Sequence, residues 1–274
     1  MKLGKIIPAL ALSFCSMNSN AGFIETFDDA STVSDTHFSN TFLSGGGIFE
    51  PDSLVASQGA PTNPALPISS RGDKELRYYE GNSIAPTHSY ATTPLSESYK
   101  NVVISGYVGV GITDTFGYRS SGLMARLSGS GFALDGYIAH ILYGATTATF
   151  TLATLNAGVV RQENVLASTS QFNISPQDNN FFIELETFDN WIKASLWQTA
   201  LGRDNFLIST LVAKDETHSS GGVGLFGFTR GGNSVFFDDI AVRELSLPST
   251  GYLFIASLFY FFFRRSHKST RKIT

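Results

Sequence analysis

"FFIELETFDNWIKASLWQT", Phe181 to Thr199, is the stretch on which the fold turns. Phe181, Ile183 and Leu185 fall on one side of a two-residue alternation, and Glu184 and Glu186 fall on the other. Phe188-Asp189-Asn190 breaks the pattern with turn formers. It then resumes, with Ile192, Ala194 and Leu196 opposite Trp191, Lys193, Ser195 and Trp197. This is the pattern of an antiparallel hairpin with one face against a core. "FLISTLVAKD" (Phe206 to Asp215), "GGVGLFGF" (Gly221 to Phe228) and "SVFFDDIAVRE" (Ser234 to Glu244) extend the series.

The same texture runs back to Gly22. Gly, Ser and Thr punctuate short runs of Val, Ile, Phe and Tyr, and no stretch keeps helical spacing for three turns. The upstream strands predicted are Phe23 to Phe27, Glu75 to Glu80, Asn101 to Ile112, Gly122 to Leu127, Phe132 to Leu142, Thr147 to Leu155 and Val159 to Leu166. Together with Phe181 to Thr187, Trp191 to Trp197, Phe206 to Val212, Gly222 to Phe228 and Val235 to Arg243, they make a dozen. Ser44 to Asn82, with three consecutive glycines and several prolines, reads as a long loop region. No repeat recurs. The expectation is an all-β, antiparallel β-sandwich in one domain, residues 22–246.

The succession of the second half resembles the concanavalin A-like lectin/glucanase superfamily, the jelly roll of laminin-G-like modules, legume lectins and family 16 glycoside hydrolases. The resemblance covers Tyr99 to Glu244 and, more loosely, Gly22 to Phe27 as the pairing first strand. Its most specific element is Phe-Asp-Asp-Ile-x-Val after a Gly-rich strand. It implies a fold and leaves activity open, because lectins, hydrolases and silent modules share it.

Both ends of the chain read as traffic signals. Met1 to Ala21 has Lys2 and Lys5, an apolar run from Ile6 to Phe14, and a polar stretch ending Ser19-Asn20-Ala21, the layout of a secretory signal peptide. Cys15 is the only cysteine and would leave with that signal, so the mature protein has neither disulfide nor thiol nucleophile. Bulky Phe14 before it argues against a lipoprotein site. With the ends removed, 12 basic residues face all 23 acidic ones, a formal body charge of −11. That body repels phosphate backbones, which argues against a nucleic-acid partner.

At the other end, Tyr252 to Phe263 is apolar or aromatic except for Ser257. As a hydrophobic helix it would reach about 18 Å, against roughly 30 Å for a hydrocarbon core. Arg264, Arg265, Lys268, Arg271 and Lys272 would hold its end on the cytoplasmic side. A turn, a short greasy run and a basic end resemble bacterial carboxy-terminal sorting signals. Leu247, Pro248, Ser249, Thr250 and Gly251 match the L-P-x-T-G pentapeptide of sortases. They also look like a variant PEP-CTERM tail, linked to exosortase processing, although that motif's second proline and glutamate are missing. The last strand ends two residues before Leu247, a spacer of only about 7 Å. That favours the PEP-CTERM-like reading over the LPXTG-like one, because a sortase substrate must cross a wall. The predicted location is the cell envelope or extracellular matrix, after export and at least transient anchoring in the membrane through residues 247–274.

Chemistry in the body has three sources. Glu184, Glu186 and Asp189 are the catalytic candidates: family 16 hydrolases carry E-x-D-x-(x)-E on one strand, since retention needs two carboxyls about 5 to 5.5 Å apart. Here the order is Glu-x-Glu-x-x-Asp with Asp189 in the turn, and the two glutamates equally suit the wet side of a strand. Trp191 and Trp197, with Lys193 between them, are the ligand-binding candidates: two indoles on one face offer a stacking platform to an extracellular polysaccharide. They equally suit packing under a loop. Glu25, Asp28 and Asp29 with Asp238 and Asp239 would meet if first and last strands pair, and such oxygens suit calcium. Without a bulge, Asp238 shares a face with Phe236, Ile240 and Val242, and an arginine or a backbone N–H could serve as its partner instead.

Other signals fail. Gly109-Val110-Gly111 lacks its third glycine and a following helix. The five histidines show no zinc spacing, and no G-x-S-x-G elbow occurs. The first expectation is an exported, non-catalytic module that binds polysaccharide or serves structurally. A glycoside hydrolase or lyase on the same scaffold is the alternative, and a matrix component without a specific ligand is a third.

Overall fold

Alternation along each segment closes into two antiparallel sheets. The computed structural model describes residues 22–43, 48–53, 74–79, 87–111, 119–144, 146–174, 181–198, 206–229 and 234–245. In chain order the first strands are β1 (Gly22–Glu25), β2 (Asn40–Leu43), β3 (Ile48–Ser53), β4 (Lys74–Tyr79), β5 (Thr87–Thr92) and β6 (Val102–Gly111). Next come β7 (Arg119–Ser128), β8 (Asp135–Tyr143), β9 (Thr147–Leu155), β10 (Val165–Ser168) and β11 (Phe172–Asn173). The last are β12 (Phe181–Phe188), β13 (Trp191–Gln198), β14 (Phe206–Lys214), β15 (Gly222–Thr229) and β16 (Ser234–Glu244). Sheet A runs β14-β13-β12-β6-β16-β4-β3, with β1 also on β16. Sheet B runs β10-β9-β8-β7-β15-β5-β2, with β11 also on β9. The fold class read from the sequence, an all-β antiparallel sandwich, is the one observed.

Strand β16 organises sheet A. One edge pairs with β6 along nearly its whole length; the other is divided, Ser234–Phe237 against β4 and Ile240–Arg243 against β1. Between the halves lies a bulge, with Asp239 at φ 48° and the register to β6 shifting between Asp238 and Ala241. The Asp238 carboxylate accepts the Asp239 N–H at 2.8 Å and so supports the kink. Opposite sits Gly106, where a Cβ would meet Ile240 Cδ1 at 2.3 Å and the backbone at 3.1 Å, so this position has no room for a side chain.

The main core is drawn from both sheets, with Ile183, Leu185, Ile192, Ala194 and Leu196 facing Leu123, Ala125, Ala139, Ile141 and Leu152. Sheet B is apolar on its other side too, where Tyr90, Met124, Ile138, Ala153 and Phe226 form a second cluster. The loops around Gly131 and Gly158 lean on that side. The Tyr90 hydroxyl donates to the Gly158 carbonyl, and Phe132 packs edge-on against Phe42 at 4.9 Å. Tyr90 is buried there, which pushes its hydroxyl pKa up.

Several expectations need correction. Strands β2, β3, β5 and β11 were not predicted, and β3 falls inside the stretch read as a loop. Pro51 lies in β3, and an edge strand is where a sheet tolerates proline. Phe132 belongs to a short 3-10 turn, Gly131–Ala133, and its strand starts at Asp135. Most of Val159 to Leu166 is irregular: a 3-10 turn at Gln162–Asn164 precedes β10. The β16 bulge reverses the face expected for Asp238: Val235 and Phe237 reach the core with Ile240 and Val242, while Asp238 turns to the opposite side with Phe236. Asp238 is nevertheless 3% exposed. The predicted signal peptide, Leu247, Pro248, Ser249, Thr250, Gly251, Arg264, Arg265 and the predicted hydrophobic helix lie outside the described residues. Among those described, no helix is long and apolar enough to cross a membrane.

Candidate ligand-binding surfaces

Strand register builds the first surface. On β12 and β13 it places Phe182 beside Trp197, Glu184 beside Ser195, Glu186 beside Lys193 and Phe188 beside Trp191. All eight project from sheet A away from the core, as alternation requires. Neighbouring strands continue each row: Leu207, Thr210, Val212 and Lys214 from β14, and Tyr107, Ser105 and Val103 from β6. Tyr107, Phe182 and Trp197 make an edge-to-face chain with centroids 5.2 and 5.7 Å apart. Trp191 is 52% exposed, with the Lys214 ammonium 6.0 Å from its ring. The aromatic chain and Trp191 lie six residues apart along β13, about 20 Å at strand rise. Between them runs a polar strip in which Ser195 and Thr210 hydroxyls meet at 3.1 Å and Lys193 pairs with Glu186 at 3.2 Å.

The catalytic candidates are not gathered in one place. Glu184 and Glu186 stand on this open face, with Glu186 committed to Lys193. Asp189 is in the hairpin turn at φ 51°, where its N–H donates to Asn101 Oδ1 at 2.8 Å.

That turn lines the second surface, a cleft of about 410 Å³ at one end of the sandwich, bounded by Lys100, Arg126, Asp189, Asn190, Glu216, His218 and Ser219. Arg126 is the extra residue of a bulge in β7, with φ 53°, and the register shifts around it against both neighbours. Gly221 makes the bulge possible: it lies at φ 156°, and a Cβ there would meet the Leu127 carbonyl oxygen at 2.1 Å. The kink sends the guanidinium across to sheet A, where Nε donates to the Lys100 carbonyl at 2.8 Å and Nη2 reaches Asn101 Oδ1 at 3.5 Å. Nη1 donates to the His218 carbonyl at 3.0 Å. Burial pulls the Arg126 pKa down, and Tyr137 and Asp189 act against that pull.

Behind the cleft, the Tyr137 hydroxyl donates to Asp215 Oδ1 at 2.7 Å and accepts the His218 N–H at 3.2 Å. Burial, with the Asp215 contact, raises Tyr137 to about 12. Burial alone would raise Asp215, but the hydrogen bonds from Tyr137 and Thr217 hold its carboxyl below the usual range. His218 packs edge-on to Tyr137 at 5.1 Å, and burial lowers its pKa against the opposing pull of Asp135 and Asp215.

Sequence reading missed this cleft. Arg126 was hidden in an apolar strand, where a charge amid Leu123-Met124-Ala125 and Leu127 was the available signal. His218 was set aside with the isolated histidines, and Tyr107 and Phe182 were not recognised as part of the platform.

The calcium candidates fare differently. Strands β1 and β16 do pair, as expected. Glu25, however, spends both oxygens locally: Oε1 accepts the Phe27 N–H at 3.1 Å, and Oε2 accepts the His37 N–H and meets His37 Nδ1, each at 2.9 Å. Among the described residues no group of three or more metal-ligating side chains occurs, Asp28, Asp238 and Asp239 included. His140, within β8, is buried and bonded through Nδ1 to Ser120 Oγ at 2.7 Å.

No protein-family model matches the chain, and no curated protein matches it. Solved structures do. A protein of unknown function with a galectin-like fold from Bacillus subtilis is 12% identical, with a TM-score of 0.49, covering 83% of this chain and 97% of that one. The Ca2+-bound exoplasmic/lumenal domain of VIP36 is 9% identical, with a TM-score of 0.49, covering 82% and 90%. Lectin II from Ulex europaeus is 8% identical, with a TM-score of 0.45, covering 83% and 100%. The structures that the chain is similar to are thus galectin-like and legume lectin-like β-sandwiches.

Proposed function

We propose that this protein is a non-catalytic polysaccharide-binding sandwich, exported and delivered to the envelope or extracellular matrix by its carboxy-terminal tail. The observation that carries the reading is the wet face of sheet A, where Tyr107, Phe182 and Trp197 stand at one end, Trp191 at the other, and hydroxyls and charges between. A sugar chain has that composition, apolar C–H faces rimmed by hydroxyls, and aromatic rings supply area with little rotamer entropy to lose. The platform rests on paired strands, so its spacing is fixed before ligand arrives, which lowers the cost of binding. Glu186 and Lys193 are held by each other and serve to orient hydroxyls.

A glycan-array screen of the full chain, with and without calcium, identifies the ligand, and titration calorimetry then compares variants. Trp197→Ala is expected to weaken binding by on the order of tenfold or more. Binding that survives both Trp197→Ala and Trp191→Ala unchanged, or no binding on the array, would overturn the platform.

A further inference from the structure

The aromatic rings on the wet face of sheet A do not make one continuous wall. Tyr107, Phe182 and Trp197 meet edge to face, with 71° and 64° between successive ring planes. A sugar ring laid flat on one of them therefore meets the edges of its neighbours, and the whole row offers a single stacking position. The other aromatic position on β13 is Trp191, 52% exposed, with Phe188 beside it on β12. Between the two, register lines up Ser105, Glu184, Ser195 and Thr210 across four strands, followed by the Glu186–Lys193 pair. Rings above that strip find hydrogen-bonding groups and no aromatic surface.

We propose that this face takes an internal run of a linear, extended polysaccharide, lying along β13 with one ring stacked at the Phe182–Trp197 row and another at Trp191. The inference rests on the polysaccharide reading above and adds to it a direction, a length and a chain shape. The anchors stand about 20 Å apart at strand rise, about four repeats of an extended hexose chain, so the bound segment has about five rings. Neither anchor needs a chain end, because stacking reads a C–H face that every ring along the chain carries. Both anchors sit on one hydrogen-bonded strand, so they cannot close up to meet a shorter or coiled ligand. A chain that reaches both makes its second contact within the complex already formed, at a high effective concentration; a chain that reaches one gains nothing from the other.

The test is titration calorimetry of the full chain with tri- and hexasaccharides of cellulose, chitin and β-mannan, and with maltohexaose as a coiled chain of equal length. At least one extended hexasaccharide should bind about ten- to a hundredfold more tightly than its own trisaccharide. Reducing its terminal ring to the open alditol leaves five rings and should leave that affinity unchanged. Trp191→Ala, at an exposed position, should bring the hexasaccharide down to the affinity of the trisaccharide and change the trisaccharide itself little. A hexasaccharide no tighter than its trisaccharide, an advantage that survives Trp191→Ala, a loss on reduction of the chain end, or maltohexaose equal to the best extended chain would overturn the span. In each of those cases binding that still weakens in Trp197→Ala keeps the platform, so the two readings fail separately. No binding of any of these oligosaccharides overturns the span, and silence on the glycan array as well removes the platform with it.

Discussion

His218 has exchanged water for the Tyr137 ring and the Arg126 guanidinium, so its charged form is disfavoured in the folded state. The sign of the pH effect follows. Below a pH of about 6.5 the unfolded chain takes up a proton that the folded chain resists, so this contribution to stability is complete above that pH and is lost as pH falls through it. Urea denaturation at pH 7 and pH 5 should show a smaller loss for His218→Gln than for the parent; equal losses would remove His218 from the account. Residues such as Trp191 and Trp197 were legible because strand alternation fixes a side chain's face from its neighbours. Arg126 was not, because its position depends on a bulge whose cause, the clearance at Gly221, lies 95 positions away in the chain.

At the level of elements, the kink in β16 and the bare Cα of Gly106 form one device. Gly106→Ala should destabilise the protein by about 1–3 kcal/mol, since a methyl there meets Ile240 in a filled core. Ile240→Val alone should cost about 0.5–1.5 kcal/mol. Removing Cδ1 relieves the clash, so the double variant should lose less than the two single losses combined, measured by chemical denaturation. Strict additivity would mean that the two positions do not press on each other. This device also marks the limit of sequence reading: strands β6 and β16 were placed to within a residue or two, but the face of Asp238 was given only for a strand without a bulge, and the bulge itself was not legible. One inserted residue inverts every alternation that follows it. The missed β2 and β5 fail for another reason. "NTFL" is too short to display a period and "THSYAT" is rich in hydroxyls, and only their neighbours in sheet B make them strands.

For the whole molecule, the prediction concerns its covalent ends. Export and sorting as proposed require that envelope-associated material lack residues 1–21 and the sequence beyond the Leu247–Gly251 motif. Intact-mass spectrometry of that material should show both losses; an unprocessed carboxy terminus would defeat the tail's proposed role. The sandwich was readable from residues 181 to 244 because the β12–β13 hairpin carries a clear alternation and apolar strands follow it, whereas the pairing of β16 with β1, β4 and β6 is a property of the assembled sheet. That pairing has a temporal consequence. The strand that joins the hairpin side of sheet A to β3 and β4 follows all the other described strands in the chain, so the two parts of that layer can be united only after it has been made. Non-local closure of this kind is slow, so on refolding the β12–β13 hairpin should gain protection against hydrogen exchange before the β16 amides do.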